Sequence, residues 1–202
     1  MSEVVASNVK HQIIKGREIV DDDWFVLRAP EAADGGIAPE ADAIVALHVP
    51  AGKVIVPVAV WTAQREALLP RAAAGEIGVW IASDERPEAV KDDLSKFSVV
   101  AVDFPKFTDG RGYSIAYNLR TRLGCTGELR AIGDVLRDQL FQMHRVGFDA
   151  YATRPDRSIE DALKGLSDFS ETYQASVDQK VPLFRRAARN VGVKDGDAGY
   201  GI

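Results

Sequence analysis

The stretch Val99-Val-Ala-Val-Asp-Phe-Pro-Lys-Phe-Thr-Asp-Gly-Arg-Gly-Tyr-Ser114 decides the fold, because an apolar run passes directly into charges and glycines and then into a helix. Val99 to Val102 show no polar alternation, which predicts a strand buried on both faces of a parallel sheet. Residues 103–112 then follow its carboxyl end, where open α/β sheets bind ligands and the next helix offers unpaired N–H groups. We therefore predict a binding loop. The alternative is a simple turn shaped by Pro105 and the glycines, with solvated charges.

Strand patterns alternate with helix patterns from Thr62 onward, which predicts crossover connections and a parallel sheet. Thr62 is the predicted cap of a first helix, and Pro87 and Ser158 are predicted to open later ones. We expect an α/β fold with four consecutive strand–helix units, in either a doubly wound sheet or a partial TIM-like barrel. The strands of these units are predicted at residues 77–82, 99–102, 129–133 and 148–152.

The first sixty residues are predicted to be β-rich, beginning with a hairpin around Lys15-Gly16. Further strands are predicted at residues 24–27, 43–49 and 54–60, and Pro57 predicts that the last is an edge strand or an interrupted one. Residues 30–40 are predicted to form a mobile loop, and residues 190–202 a disordered tail. The expected organisation is a β-rich segment (1–60), an α/β domain (61–185) and a flexible tail (186–202).

The composition is that of an ordinary globular protein of 202 residues, with 46% hydrophobic and 27% charged residues. A net charge of −5 with scattered basic residues argues against nucleic-acid binding. Because there is no apolar stretch of roughly 20 residues and no leader pattern, we expect a cytoplasmic protein with no membrane partner. The single Cys125 excludes an intrachain disulfide and a cluster held by four thiolates of this chain. The three histidines have no metal-ligand spacing, so no metal site is predicted.

Polar residues follow the carboxyl ends of the predicted strands, and parallel strands bring those ends to one edge. Asp103 and Asp134 are the candidate catalytic residues, since either would move a proton if burial raised its pKa. Ser83 with Asp84 and Thr153 with Arg154 are expected at the same edge. The candidates for binding a small anionic substrate, through cations, N–H groups and hydroxyls, are Lys106, Asp109, Gly110, Arg111, Gly112, Tyr113, Ser114, Arg130 and Arg137.

A structural alternative applies to part of this set: Asp134 or Asp138 would pair with Arg137 and Arg130 and fasten a strand to a helix. Cofactor-binding motifs do not decide between the substrate-binding and the structural interpretation. Gly110 and Gly112 have the spacing of a dinucleotide fingerprint, but Ile115 stands where the third glycine is needed. No P-loop or nucleophile elbow is present, so the cofactor is unknown.

Two longer motifs carry a family resemblance. Residues 103–114, quoted above, and Gly127-Glu-Leu-Arg-Ala-Ile-Gly-Asp-Val-Leu-Arg-Asp-Gln-Leu-Phe141, followed by Arg145-Val-Gly-Phe-Asp-Ala150, resemble the bacterial domain of unknown function 934. The resemblance spans roughly residues 54–174. Genes of this family commonly neighbour the assimilatory sulfite reductase gene, and the family is labelled an oxidoreductase of sulfite reduction. The resemblance thus implies a role in sulfur assimilation, with sulfite reductase as the partner.

The residues themselves supply no electron carrier, because the cluster cysteines and a complete dinucleotide loop are missing. The leading hypothesis is therefore an accessory protein of sulfite reduction whose loop 103–114 binds a small oxyanion or docks to the reductase. One alternative is a stand-alone enzyme doing acid–base chemistry on a small anionic metabolite. Another is a non-catalytic anion-binding module. Whether the sheet closes, and whether a homodimer covers it, stays open.

Overall fold

The core of the protein is an eight-stranded sheet curled into a half-barrel, in a mixed α/β fold. A computed structural model describes residues 11–28 and 46–186. The strands are β1 (Gln12–Lys15), β2 (Glu18–Asp21), β3 (Phe25–Val26), β4 (Val54–Pro57), β5 (Ile77–Ile81), β6 (Val99–Phe104), β7 (Glu128–Gly133) and β8 (Ala150–Tyr151). The α-helices are α1 (Val58–Ala73), α2 (Arg111–Thr121), α3 (Arg137–Arg145), α4 (Ile159–Lys164) and α5 (Leu183–Arg186).

The spatial order of the strands is β2-β1-β8-β7-β6-β5-β4-β3. From β3 to β8 the strands are parallel and follow one another in chain order. A doubly wound sheet has a point at which this order reverses, and the described strands have none. The predicted hairpin around Lys15-Gly16 is confirmed, and its β1 strand joins β8 antiparallel, with Ile14 opposite Tyr151. The N-terminal strands thus belong to the main sheet.

The curl of the sheet follows from the short connection between its two edges. Strands β2 and β3 are the edge strands, and only residues 22–24 separate them along the chain. An extended chain covers at most about 3.5 Å per residue, so Asp21 and Phe25 lie within about 14 Å of each other. Eight strands laid flat would place the edges about 33 Å apart. The sheet must therefore curl, and residues 22–24 cross its concave side.

Strand β6 shows how the two faces of the sheet differ. All six of its residues are buried. Val100, Val102 and Phe104 pack into the large core shared with the helices, whereas Val99 and Ala101 belong to a second cluster on the opposite face. Because side chains alternate along a strand, Asp103 lies on the same face as Val99 and Ala101. The face away from the helices is the concave one, so Asp103 lies on the concave side.

Several predicted boundaries were wrong. Strand β6 runs two residues beyond Val102, since Asp103 and Phe104 continue the ladder opposite Ile132 and Gly133. The helix expected to start at Thr62 begins at Val58, and the Thr62 hydroxyl donates inside that helix to the Val58 carbonyl oxygen at 2.9 Å. The cause is Pro57, which ends an inner strand rather than interrupting an edge strand.

Two other predicted elements differ, and some predictions lie outside the described residues. Residues Pro87–Lys96 form a 3₁₀-helix, and Gly165–Ser167 form a second one after α4. Residues 46–49, part of a predicted strand, are not in a strand, and residues 43–45 lie outside the described chain. The expectations for residues 30–40 and 190–202 also fall outside it. Across 11–28 and 46–186, we find no helix of the length and apolarity that a bilayer crossing requires.

Candidate functional site

The loop between β6 and α2 (residues 105–110) is held from two sides at Phe107. The Phe107 amide donates to Asp134 Oδ2 at 2.8 Å, and its carbonyl oxygen accepts from Gln139 Nε2 at 3.2 Å. Within the loop, the Asp109 amide donates to the Lys106 carbonyl oxygen at 2.9 Å. These bonds fix the loop backbone, while the side chains of Lys106 and Phe107 remain exposed.

Asp109 and Arg111 form a bidentate ion pair at the end of this loop. Arg111 donates from Nε to Asp109 Oδ1 at 3.0 Å and from Nη2 to Oδ2 at 2.7 Å. Ser83, from the segment after β5, donates to Asp109 Oδ2 and accepts from Arg111 Nη2, both at 2.8 Å. The hydrogen bonds from Arg111 and then Ser83 hold the pKa of Asp109 well below its ordinary value. The structure thus brings Ser83 to the loop.

Asp134 follows β7 and connects the loop to the segment after β8. Its Oδ2 accepts the Phe107 amide, and its Oδ1 accepts from Arg154 Nη1 at 3.0 Å. Arg154 also donates to both oxygens of Asp156 at 2.8 Å. Both Asp134 oxygens therefore have donors, and its contacts position the loop.

Asp103 pairs with an arginine that the sequence did not indicate as a partner. Arg28, just after β3, donates from Nη2 to Asp103 Oδ1 at 2.5 Å. The Arg28 guanidinium lies 5.4 Å from the centre of the Trp80 ring, and Trp80 Nε1 donates to the Leu27 carbonyl oxygen at 2.9 Å. Arg28 and Asp103 are 75 residues apart in the chain, so no local spacing would have linked them.

The start of α2 packs closely on the end of β6. A Cβ added to Gly112 would lie 2.6 Å from Phe104 Cζ, so only glycine fits there without a shift. Tyr113 is half-buried with its ring edge-on to Phe104 at 5.4 Å, and this burial raises its pKa. Gly110 and Ser114 are exposed.

Arg130 and Arg137 form their ion pairs outside the loop 105–110, and they do not pair with Asp134 or Asp138. Arg130 is 1% exposed, and its Nη1 donates to Asp22 Oδ1 at 2.9 Å while its Nε donates to Glu128 Oε1 at 2.8 Å. Arg137 pairs with Asp161 at 3.3 Å and Asp168 at 3.0 Å. The prediction that Asp134 or Asp138 pairs with Arg130 and Arg137 was wrong. Glu128 lies two residues before Arg130 on the same face of β7, the curl of the sheet brings Asp22 to Arg130, and Asp161 and Asp168 reach Arg137 from α4 and the segment after it.

A cavity of about 520 Å³ lies where the two edges of the curled sheet approach. It is bordered by β1, by the crossing segment and β3, and by the segment after β8. Its lining residues are His11, Gln12, Ile13, Asp22, Trp24, Phe25, Val26, Ala152, Thr153, Arg154, Pro155, Arg157 and Ile159. Arg154 thus lines the cavity and also contacts Asp134.

A metal site and a reactive thiol each place requirements on the described residues. Within residues 11–28 and 46–186, no three His, Cys, Asp or Glu side chains are grouped to hold a metal ion. Cys125 is buried, and burial raises the pKa of its thiol, which disfavours the reactive thiolate.

A family profile described as "Bacterial protein of unknown function (DUF934)" matches residues 78–184 of the chain. The protein belongs to the DUF934 family. No curated protein and no solved structure matches it.

The DUF934 match divides the site in two. It contains the loop 105–110, Asp103 and Asp134, together with Ser83 and Arg154. It does not reach Arg28 or residues 22–26, which supply the partner of Asp103 and one wall of the cavity. The loop is therefore a feature of the DUF934 segment, whereas the cavity also requires the chain that precedes it.

Proposed function

We propose that this protein is an accessory protein of assimilatory sulfite reduction that docks to sulfite reductase through residues 103–114, which comprise the end of β6, the loop 105–110 and the start of α2. The resemblance of its motifs to the DUF934 family supports the sulfite-reduction context. The geometry of the loop supports docking in preference to capture of a bare oxyanion.

One observation carries the docking proposal: Phe107 is 44% exposed on a loop whose backbone is fixed at that same residue. An aromatic ring in water offers a large apolar area to a partner, and aromatic side chains are enriched at the energetic centres of interfaces. Because Asp134 and Gln139 already hold the backbone, little additional ordering would be needed on binding. The Phe107 side chain can therefore act as a pre-organised hot spot in an interface with the reductase.

The charges around Phe107 favour a protein surface over a small anion. Arg111 is paired with Asp109, Arg154 with Asp134 and Asp156, and Arg28 with Asp103. The charge of each of these arginines is already balanced by a carboxylate, which weakens the attraction for a free sulfite ion. A protein partner can instead accept hydrogen bonds at the rim while the pairs stay intact, and the exposed Lys106 adds a positive charge there.

The test is to replace the anchor and measure reductase binding. Phe107→Ala should weaken binding to purified sulfite reductase by about 30-fold, since loss of a central hot-spot side chain costs about 2 kcal/mol or more. Phe184→Ala is the matched control, because Phe184 is also exposed but lies on α5. In the host, Phe107→Ala and Arg111→Ala should slow growth on sulfate and not on cysteine. Equal binding by the Phe107 and Phe184 variants, or no binding by the wild-type protein, would overturn the proposal.

The two alternatives give different results in two further measurements. An anion-binding module would be stabilised by millimolar sulfite, sulfate or phosphate in a thermal melt, whereas a docking protein would not. An acid–base enzyme would lose turnover on Asp103→Asn while still binding the reductase. We expect no anion-dependent rise in melting temperature.

A further inference from the structure

We propose that the 520 Å³ cavity at the seam of the half-barrel binds a small molecule that combines an aromatic or branched apolar body with one anionic group. The residues that line this cavity do not include any of 103–114, so the proposal goes beyond the docking function. Its volume falls within the range of about 300–1,000 Å³ that small-molecule sites occupy.

The position of the cavity follows from the curl of the sheet. The edge strands β2 and β3 do not pair with each other, and residues 22–24 connect them across the gap. The cavity lies beside this gap. Its second wall is the segment that follows β8, at the carboxyl end of a parallel strand. Ligand sites in barrels of parallel strands are built at that end.

The interior of the cavity is largely apolar. Ile13 is 3% exposed, and Trp24, Val26 and Ala152 pack with the concave-face cluster, while the Phe25 ring is half-exposed at the edge. Aromatic and aliphatic walls of this kind favour a flat or branched apolar body.

Arg157 gives the cavity hydrogen-bond donors for an anion. Asp22 is compensated, since both of its oxygens accept from Arg130 Nη1 at 2.9 and 3.0 Å. Arg154 holds both oxygens of Asp156 at 2.8 Å. Arg157 is therefore left with a contact to Asp156 of 3.8 Å, which is longer than a hydrogen bond. Its guanidinium can bind a carboxylate or sulfonate with two parallel hydrogen bonds.

Two fluorescent probes that differ in one charged group test both parts of the proposal. 8-Anilinonaphthalene-1-sulfonate carries the anion, and N-phenyl-1-naphthylamine has the same ring system without it. We expect each to bind the full chain saturably at one site and to quench tryptophan fluorescence, because Trp24 lines the cavity. Arg157→Gln should weaken binding of the sulfonate at least fivefold and change binding of the neutral probe less than twofold. Arg122→Gln, an exposed arginine at the end of α2, is the matched control and should change neither.

A filling variant tests the location of the site. Thr153→Phe adds a ring at a half-buried lining position and should weaken binding of both probes at least fivefold, with the far-ultraviolet circular dichroism unchanged. The proposal fails if neither probe binds at a single site. It also fails if Arg157→Gln and Arg122→Gln behave alike, or if Thr153→Phe binds both probes normally. Phe107→Ala should leave probe binding unchanged, so the two proposals fail independently.

Discussion

Gly112→Ala tests the close contact on which the position of the loop and α2 depends. The added Cβ would lie 2.6 Å from Phe104 Cζ and 2.8 Å from Cε1, closer than carbon atoms pack. The Phe104 ring cannot withdraw easily, because it is fully buried between Tyr113, at 5.4 Å, and Phe148, at 5.8 Å. Overpacking of this kind costs about 1–3 kcal/mol, and the better helix propensity of alanine offsets up to about 1 kcal/mol of it. We expect a net loss of about 1–2 kcal/mol.

Urea unfolding of the purified protein measures this loss, which corresponds to a melting temperature about 2–8 °C lower for a chain of this size. Gly110→Ala is the matched control. Its added Cβ would meet nothing within 4 Å and its φ is −85°, so its stability should change by less than about 0.5 kcal/mol. In a Phe104→Leu background, Gly112→Ala should cost at most half as much, since the opposing ring is gone. Equal stability of the Gly112 and Gly110 variants, or additive costs in the double mutant, would refute the reasoning.

Two further predictions concern buried groups away from the loop. Arg65, Lys96 and Trp61 donate hydrogen bonds to Asp93, and they hold its pKa well below the ordinary value. The ionised Asp93 therefore stabilises the folded state at pH values above the ordinary pKa of an aspartate. This stabilisation is lost as the pH falls and the carboxylate becomes protonated. Asp93→Asn should therefore reduce stability by about 1–3 kcal/mol at pH 7, with a smaller difference below about pH 4; a pH-independent difference in urea unfolding would contradict this. The buried Cys125 thiol, whose pKa is raised, should react with a disulfide reagent at pH 8 at least tenfold more slowly in the native protein than in urea, and equal rates would contradict its burial.

The elements around the loop could be predicted because their signals are local. The β-branched run at 99–102 marked β6, and the four-residue spacing of Ile115 and Leu119 marked the helix after it. The hairpin at Lys15-Gly16 was visible for the same reason. Each of these signals lies within one element, so the remainder of the fold was not needed to read them.

The errors occurred where one pattern fits two structures. Residues 54–60 are apolar throughout, which suits a buried strand and the buried face of a helix equally. The chain uses Val54–Pro57 as a strand and Val58–Val60 as the first turn of α1. Likewise, apolar residues at helical spacing in 87–96 did not distinguish a 3₁₀-helix from an α-helix.

Two ion pairs of the candidate site residues could not be predicted, because the curl of the sheet brings their members together. Asp103 meets Arg28 across 75 residues of chain, and Arg130 meets Asp22 across 108. In each pair, one residue lies on a parallel strand and the other lies near β3. Asp22 belongs to the crossing segment 22–24, and Arg28 follows β3. From sequence alone, Asp103 was a catalytic candidate and Arg130 a substrate-binding one, because no local spacing revealed Arg28 or Asp22 as their partners.

The Arg130 cluster explains how the crossing segment is held in place. Arg130 is almost fully buried on the concave face, where a lone charge would be costly to desolvate. Asp22 compensates it from the crossing segment and Glu128 from β7, with Lys15 contacting Glu128 at 2.8 Å. Removal of one partner from a buried pair typically costs about 3–5 kcal/mol, because the other charge is left uncompensated. Asp22 therefore cannot leave the concave face without that cost, and this keeps residues 22–24 across the opening of the half-barrel. The contacts give Arg130 a structural task, and its role in substrate binding stays a prediction.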